Sequence, residues 1–120
     1  MSLTVLYAED HDAVRMAVKE TLEREGWLVE ACADGLKAKA LLKGAAGYAL
    51  LIFDDHLPGV CGIELTRCAR LLAHRRNTPI VVVSASEVEA EARRAGADVF
   101  LRKPQDVGLI VGTVRGLLER

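Results

Sequence analysis

Three stretches of this chain, Val5-Leu6-Tyr7, Leu50-Leu51-Ile52-Phe53 and Ile80-Val81-Val82-Val83, are continuously apolar. A strand with one wet face alternates apolar and polar residues, because successive side chains point to opposite sides. An unbroken run fits a strand covered on both faces, as in parallel sheets. Between the runs, apolar residues recur at helical spacing. Val14, Ala17, Val18 and Leu22 define a first helix closed by Gly26, and Asp34 caps a second that carries Leu36, Ala40 and Leu41. Ile63, Leu65, Ala69 and Leu72 mark a third helix, Glu87 to Ala95 a fourth, and Val107, Ile110, Val111, Val114, Leu117 and Leu118 one stripe of a fifth. Strands are expected over Leu3 to Ala8, Trp27 to Cys32, Tyr48 to Asp54, Pro79 to Ser84 and Asp98 to Leu101. Strand then helix, five times over, predicts an α/β fold: a five-stranded parallel sheet, doubly wound, as the middle of a (βα)5 three-layer sandwich.

The 120 residues fit one domain, read over 1–120 and compatible with excision from a longer protein. A hydrophobic share of 51% supplies a core, while 28% charged residues argue against disorder only in that company. Sixteen basic against 17 acidic side chains leave a net charge of -1, which gives no electrostatic footprint for nucleic acid or an anionic membrane. No apolar run approaches the roughly 18 residues of a membrane span. Cys32, Cys61 and Cys68 have no metal-ligand spacing and read as buried structural thiols in a reducing cytoplasm. Gly108, Gly112 and Gly116 recur every four residues along the fifth helix, away from its apolar stripe. Arg115, Glu119 and Arg120 rule out a membrane reading of that spacing.

In a doubly wound fold, chemistry collects where the carboxyl ends of the strands meet the loops. Here the first strand ends in Glu9-Asp10, the third in Asp54-Asp55, the fourth in Ser84, and the fifth in Lys103 before Pro104. Carboxylates at neighbouring strand ends repel unless a cation shares the site. Mg2+ suits such a rim because it takes oxygen ligands, commonly one or two carboxylates with waters and phosphate oxygens. A carboxylate ringed by metal, lysine and hydroxyl is organised for phosphoryl transfer, in which catalysis is mostly positioning and charge neutralisation.

Over essentially its whole length the chain resembles the receiver domain of bacterial two-component response regulators. The resemblance is carried by Val5-Leu6-Tyr7-Ala8-Glu9-Asp10, by Leu51-Ile52-Phe53-Asp54-Asp55-His56-Leu57-Pro58-Gly59 with Gly62 beyond, by Pro79 to Ala85, and by Gly96 to Pro104. It implies a flavodoxin-like fold and a phosphoprotein switch rather than a conventional enzyme. Asp54 would be the phosphoacceptor, with Asp10, Asp54 and the His56 backbone carbonyl as Mg2+ ligands and Glu9 acting through water. Lys103 would pair with Asp54 and then with the phosphoryl oxygens, and Ser84 would donate its hydroxyl to them. Phe100 would be the aromatic residue that changes rotamer on switching. The period of two supports Asp54 over Asp55, because the two point to opposite sides.

The implied partner is a sensor histidine kinase or histidine phosphotransfer protein. A homodimer or an output domain would dock on the fourth helix, fifth strand and fifth helix, and the domain itself would bind neither nucleic acid nor membrane. From Ser84 to Gly96 the segment is about one helical turn shorter than the common receiver pattern. His11 and His56 read as exposed loop residues, Asp12 as a cap or first-turn acid, His74 as a helix-end residue, and Trp27 and Tyr48 as packing residues at strand starts.

Three other functions share some of these features. Asp10-His11-Asp12-Ala13-Val14 resembles the nucleophile loop of haloacid-dehalogenase-type phosphatases, with Asp10 attacking and Asp12 as acid; this leaves Asp54-Asp55 and Pro58-Gly59 without a role. A flavin binder of the same architecture needs a phosphate loop after the first strand, where Glu9 and Asp10 would repel the phosphate. A receiver-like interaction module that is never phosphorylated would not need the full set of site residues.

Overall fold

The computed structural model describes residues 2–119; Met1 and Arg120, the ends of the expected domain, lie outside the described residues. Its strands are β1 (Thr4–Ala8), β2 (Leu28–Cys32), β3 (Leu50–Asp54), β4 (Ile80–Ser84) and β5 (Val99–Arg102). Its helices are α1 (Asp12–Glu23), α2 (Gly35–Lys43), α3 (Gly62–Leu71), α4 (Glu89–Ala95) and α5 (Ile110–Leu118), the last preceded by a 3-10 turn over Val107–Leu109. All strands are parallel and stand in the order β2-β1-β3-β4-β5. Trp27 and Tyr48 fall just before β2 and β3, and Tyr48 is buried.

The apolar runs lie inside the sheet, and the period of two divides their side chains between two cores. Leu6, Leu51, Phe53, Ile80, Val82 and Phe100 face α2, α3 and α4. Val5, Tyr7, Ile52, Val81, Val83 and Leu101 face α1 and α5 through Val18, Leu22, Ile110 and Val114. The sheet is therefore the covered middle layer, and its central strands needed no polar face.

The starts of α1, α2 and α3 each have a physical cause in a neighbouring side chain. In α1 the first-turn acid is Asp12, while the cap is His11, whose Nδ1 accepts the Val14 N–H at 3.3 Å. Asp34 caps α2 by accepting the Lys37 N–H at 2.7 Å. Buried Asp55 accepts the Ile63 N–H at 3.1 Å, which ties the start of α3 to the end of β3. Gly26 donates to the Glu23 carbonyl at 3.0 Å as α1 ends.

Two expected stripes are corrected. On α1, Ala17 is exposed and Val18 and Leu22 carry the burial. On α2 the buried positions are Gly35, Ala38 and Leu42, whereas Leu36 is 63% exposed and Ala40 also faces solvent. The cause is close packing at the start of α2: a Cβ on Gly35 would lie 1.8 Å from the Val60 carbonyl oxygen. Only glycine permits that approach, and it turns the small Ala38 rather than Leu36 inward. The cysteines also differ from expectation, since Cys32 is buried but Cys61 and Cys68 are only partly so. Burial and the nearby Asp34 and Glu30 carboxylates push the Cys32 thiol up to about 11.

α4 has seven residues and begins at Glu89, two residues after the expected start at Glu87, and its N-cap Val88 makes no side-chain hydrogen bond. The glycines Gly108, Gly112 and Gly116 are exposed, and a Cβ on any of them would meet nothing within 4 Å. No helix among the described residues is long and apolar enough to cross a membrane.

Candidate phosphoacceptor site

The strand order sets β1, β3, β4 and β5 side by side, so their carboxyl ends form one rim. Alternation then sorts the polar residues there. Tyr7, Glu9, Asp54, Leu101 and Lys103 share the parity of the core facing α1 and α5, whereas Asp55, Ser84 and Phe100 share that of the opposite core. Asp54 and Asp55 accordingly do different things. Asp55 is taken up in the α3 cap, and Asp54 stands among charged groups.

Those groups are close. Lys103 Nζ donates to Asp54 Oδ2 and to Glu9 Oε1, at 2.7 Å in each case. Glu9 is 1% and Asp54 4% exposed, so the ammonium holds two carboxylates that water barely reaches. The other oxygen of each is engaged by backbone: the His56 N–H donates to Asp54 Oδ1 at 3.1 Å, and the His11 N–H to Glu9 Oε2 at 3.2 Å. Burial raises the Glu9 pKa, with the Asp54 carboxylate adding to the rise and Lys103 opposing it. For Lys103 burial acts downward, but the bonds to Asp54 and Glu9 outweigh it and hold the ammonium above its usual value. Beneath the pair, the Tyr7 hydroxyl is also pushed up, by burial and then by the Glu9 and Asp54 charges.

Asp10 is exposed beside them, and one carboxylate oxygen from each of Glu9, Asp10 and Asp54 falls within 4.8 Å of the others. An all-oxygen donor set of this charge fits a hard divalent cation of the Mg2+ kind and would not favour a soft one.

Ser84 lies at the end of β4 and is fully buried, yet its hydroxyl points into the following loop, where Oγ accepts the Ser86 N–H at 3.0 Å. Among the described residues no hydrogen bond joins it to Asp54. His56 is exposed as expected, but it bridges two loops: its Nε2 lies 2.7 Å from the Ser86 hydroxyl. Phe100 is 7% exposed, with the Arg102 guanidinium 5.7 Å from its ring centre and paired in turn with Glu87 at 2.7 Å. The Lys103–Pro104 peptide bond is cis. His74 contacts another helix end, its Nε2 lying 2.8 Å from the Gly44 carbonyl.

The sequence reading missed two participants and one pairing. Tyr7 was detectable from parity alone, two residues before Glu9. Arg15 donates to the Glu9 carbonyl at 2.9 Å, and no pattern in the sequence announces that. The pairing of Lys103 with Glu9 as closely as with Asp54 depends on β1 standing next to β3, a tertiary fact.

A family model described as the response regulator receiver domain matches residues 5–115. The sensory/regulatory protein RpfC of Xanthomonas campestris pv. campestris is 34% identical over 97% of this chain and 16% of its own length. The transcriptional regulatory protein CseB of Streptomyces coelicolor is 33% identical over 97% of this chain and 49% of its own. The chain thus spans half or less of these two relatives. Among solved structures, the receiver domain of sensor histidine kinase PA1611 from Pseudomonas aeruginosa PAO1 superimposes with a TM-score of 0.89 at 22% identity, covering 100% of both chains. That crystal structure holds a magnesium ion in its active site cleft.

Proposed function

Because this chain belongs to the response regulator receiver domain family, we propose that it takes up a phosphoryl group on the Asp54 carboxylate and converts that event into a change of conformation. The observation that carries this reading is the shared ammonium: Lys103 Nζ at 2.7 Å from both Asp54 and Glu9, in a buried rim of strand ends. It favours Asp54 over Asp10 as nucleophile, since Asp10 is exposed while Asp54 is buried, paired and oriented by the His56 N–H.

The donor in this reading is a phosphohistidine of a sensor histidine kinase or phosphotransfer protein. An Asp54 carboxylate oxygen attacks phosphorus in line; the new O–P bond forms as the P–N bond breaks, and the departing imidazole nitrogen keeps the electron pair and then takes a proton. Lys103 follows the negative charge from carboxylate to phosphoryl oxygens. Water later attacks phosphorus, releasing inorganic phosphate and restoring Asp54. Asp10 and Asp54, with the His56 carbonyl and with Glu9 acting through water, would hold a divalent cation such as Mg2+, which when bound neutralises charge on the transferring group.

Ser84 and Phe100 are the switching pair in this account. The Ser84 hydroxyl leaves the Ser86 N–H to donate to the phosphoryl group, which pulls on the loop that joins β4 to α4. Phe100 lies inward in the unphosphorylated chain and adjusts with that loop. The signal leaves through the face made of α4, β5 and α5, toward a second copy or an output domain, and residues 1–120 act as one receiver domain.

Incubation with Mg2+ and acetyl phosphate, chemical trapping of any acyl phosphate and mass spectrometry test the assignment. Label on Asp54, absent in Asp54→Asn, is the expected result. Label on Asp10, or steady turnover of phosphoesters, would replace the receiver reading with the phosphatase one.

A further inference from the structure

Glu9, Asp10 and Asp12 crowd three negative charges into the connection between β1 and α1. Charges so placed push one another apart, and a connection that splays cannot present its carboxylates to one ion. Arg15, on α1, reaches back over it. Its Nη1 donates to the Glu9 carbonyl at 2.9 Å and lies 3.5 Å from the Asp10 carbonyl, while Nη2 donates to Asp12 Oδ1 at 2.6 Å. The Arg15 side chain is 20% exposed and that of Asp12 is 82% exposed. The guanidinium is therefore seated on the two carbonyls, and the exposed ion pair is its weaker hold.

On charge alone this is a poor place for an arginine, since a second cation beside a cation site is repelled. What the guanidinium supplies is geometry: its planar fork has fixed donor directions and aims Nη1 at the Glu9 and Asp10 carbonyls, which the freely rotating ammonium of lysine does not. We propose that Arg15 is a positioning residue that fixes the Glu9–Asp10 backbone so that their carboxylates converge on a divalent cation. The inference rests on the reading of Asp10 and Asp54 as ligands, with Glu9 acting through water. It adds a residue that touches neither cation nor phosphoryl group.

Charge and geometry predict opposite signs, which makes the test sharp. Titration calorimetry with MgCl2 is run on the unmodified chain, Arg15→Gln, Arg15→Lys and Asp12→Asn, each first checked for a cooperative thermal melt without cation. Arg15→Gln is expected to bind Mg2+ about tenfold more weakly, the usual effect of losing a group that orients metal ligands. Arg15→Lys keeps the charge and loses the fork, and should be weakened to a similar degree. Asp12→Asn removes only the exposed ion pair and should stay within about twofold. With acetyl phosphate, the Mg2+ concentration for half-maximal labelling of Arg15→Gln should rise by the same factor, while the rate at saturating Mg2+ falls less than twofold.

Unchanged or tighter Mg2+ binding in Arg15→Gln overturns the proposal, as does full rescue by lysine or a tenfold loss in Asp12→Asn alone. A fall in the saturated rate without a change in affinity assigns Arg15 a merely structural role and equally overturns it. Should the unmodified chain bind Mg2+ but take no label on Asp54, the phosphoacceptor reading fails while the calorimetric comparison still decides the role of Arg15.

Discussion

Glu9 and Asp54 hold the same ammonium: Lys103 Nζ lies 2.7 Å from an oxygen of each. Burial raises the Glu9 pKa, and the neighbouring Asp54 carboxylate adds to the rise against the pull of Lys103. A carboxyl whose pKa is raised on folding adds stability below its unfolded value of 4.5 and loses that contribution as pH rises through the folded value. At neutral pH, above the unfolded value, the Glu9 carboxyl is thus a net cost to folding. Glu9→Gln should raise the melting temperature at pH 7 in the absence of divalent cation, with the gain shrinking toward pH 4. The same variant should lose most of the stabilisation that added Mg2+ gives the unmodified chain. Melting curves across that pH range, with and without MgCl2, check both halves, and an acid-independent difference would contradict the assignment.

Gly62, the first residue of α3, stands against the end of β3 so closely that a Cβ would lie 2.5 Å from the Asp54 carbonyl oxygen and 3.0 Å from the Asp55 Cα. Those neighbours are backbone and cannot swing aside. Gly62→Ala should cost about 2 kcal/mol in urea unfolding, typical of forced overpacking. It should also slow Asp54 labelling at saturating Mg2+ more than that loss of stability explains, because the displaced backbone carries the nucleophile. A variant that labels at the normal rate would show that the acceptor tolerates the shift.

Arg75 is 2% exposed and is held by carbonyls alone: Leu42 at 3.0 Å, Ala46 at 2.6 Å, Gly44 at 3.0 Å and Leu41 at 3.3 Å. Its guanidinium also lies 4.7 Å from the Tyr48 ring centre, and the Tyr48 hydroxyl donates to Glu30. Arg75→Ala strips the end of α2 and the following loop of their donors and leaves buried acceptors unpaired. The expected cost is about 3 kcal/mol, with hydrogen exchange faster over residues 41–48 than over β1 or β3. Uniform loss of protection would mean that Arg75 supports the whole fold instead of this corner.

How much of this was readable beforehand depended on the range of the interaction. The apolar runs dictate strands and layers because parallel strands have no polar face to hide, and parity alone sets Asp54 apart from Asp55. The α2 stripe was misread because helical spacing admits several faces when leucine, alanine and lysine are mixed; Gly35 against the Val60 carbonyl decides among them, and that contact joins segments distant in sequence. Arg75 sits in the polar run His74-Arg75-Arg76-Asn77 and looks solvated. Its burial follows from carbonyls left free where α2 ends, which no pattern of side chains encodes. The same holds for Arg15, whose partners are backbone oxygens.

The three glycines along the last helix have a further meaning. Gly112 and Gly116 of α5, and Gly108 of the 3-10 turn before it, are open to solvent with nothing within 4 Å of a Cβ, so this flank accepts side chains without a clash. Alanine at Gly112 or Gly116 should add up to about 1 kcal/mol per site without disturbing Ile110 or Val114, and chemical denaturation of the single and double variants would measure it. The chain therefore has a ready margin for engineering on this open flank, and a bare helical flank is also one that evolution can repaint with new side chains while the acceptor chemistry stays as it is.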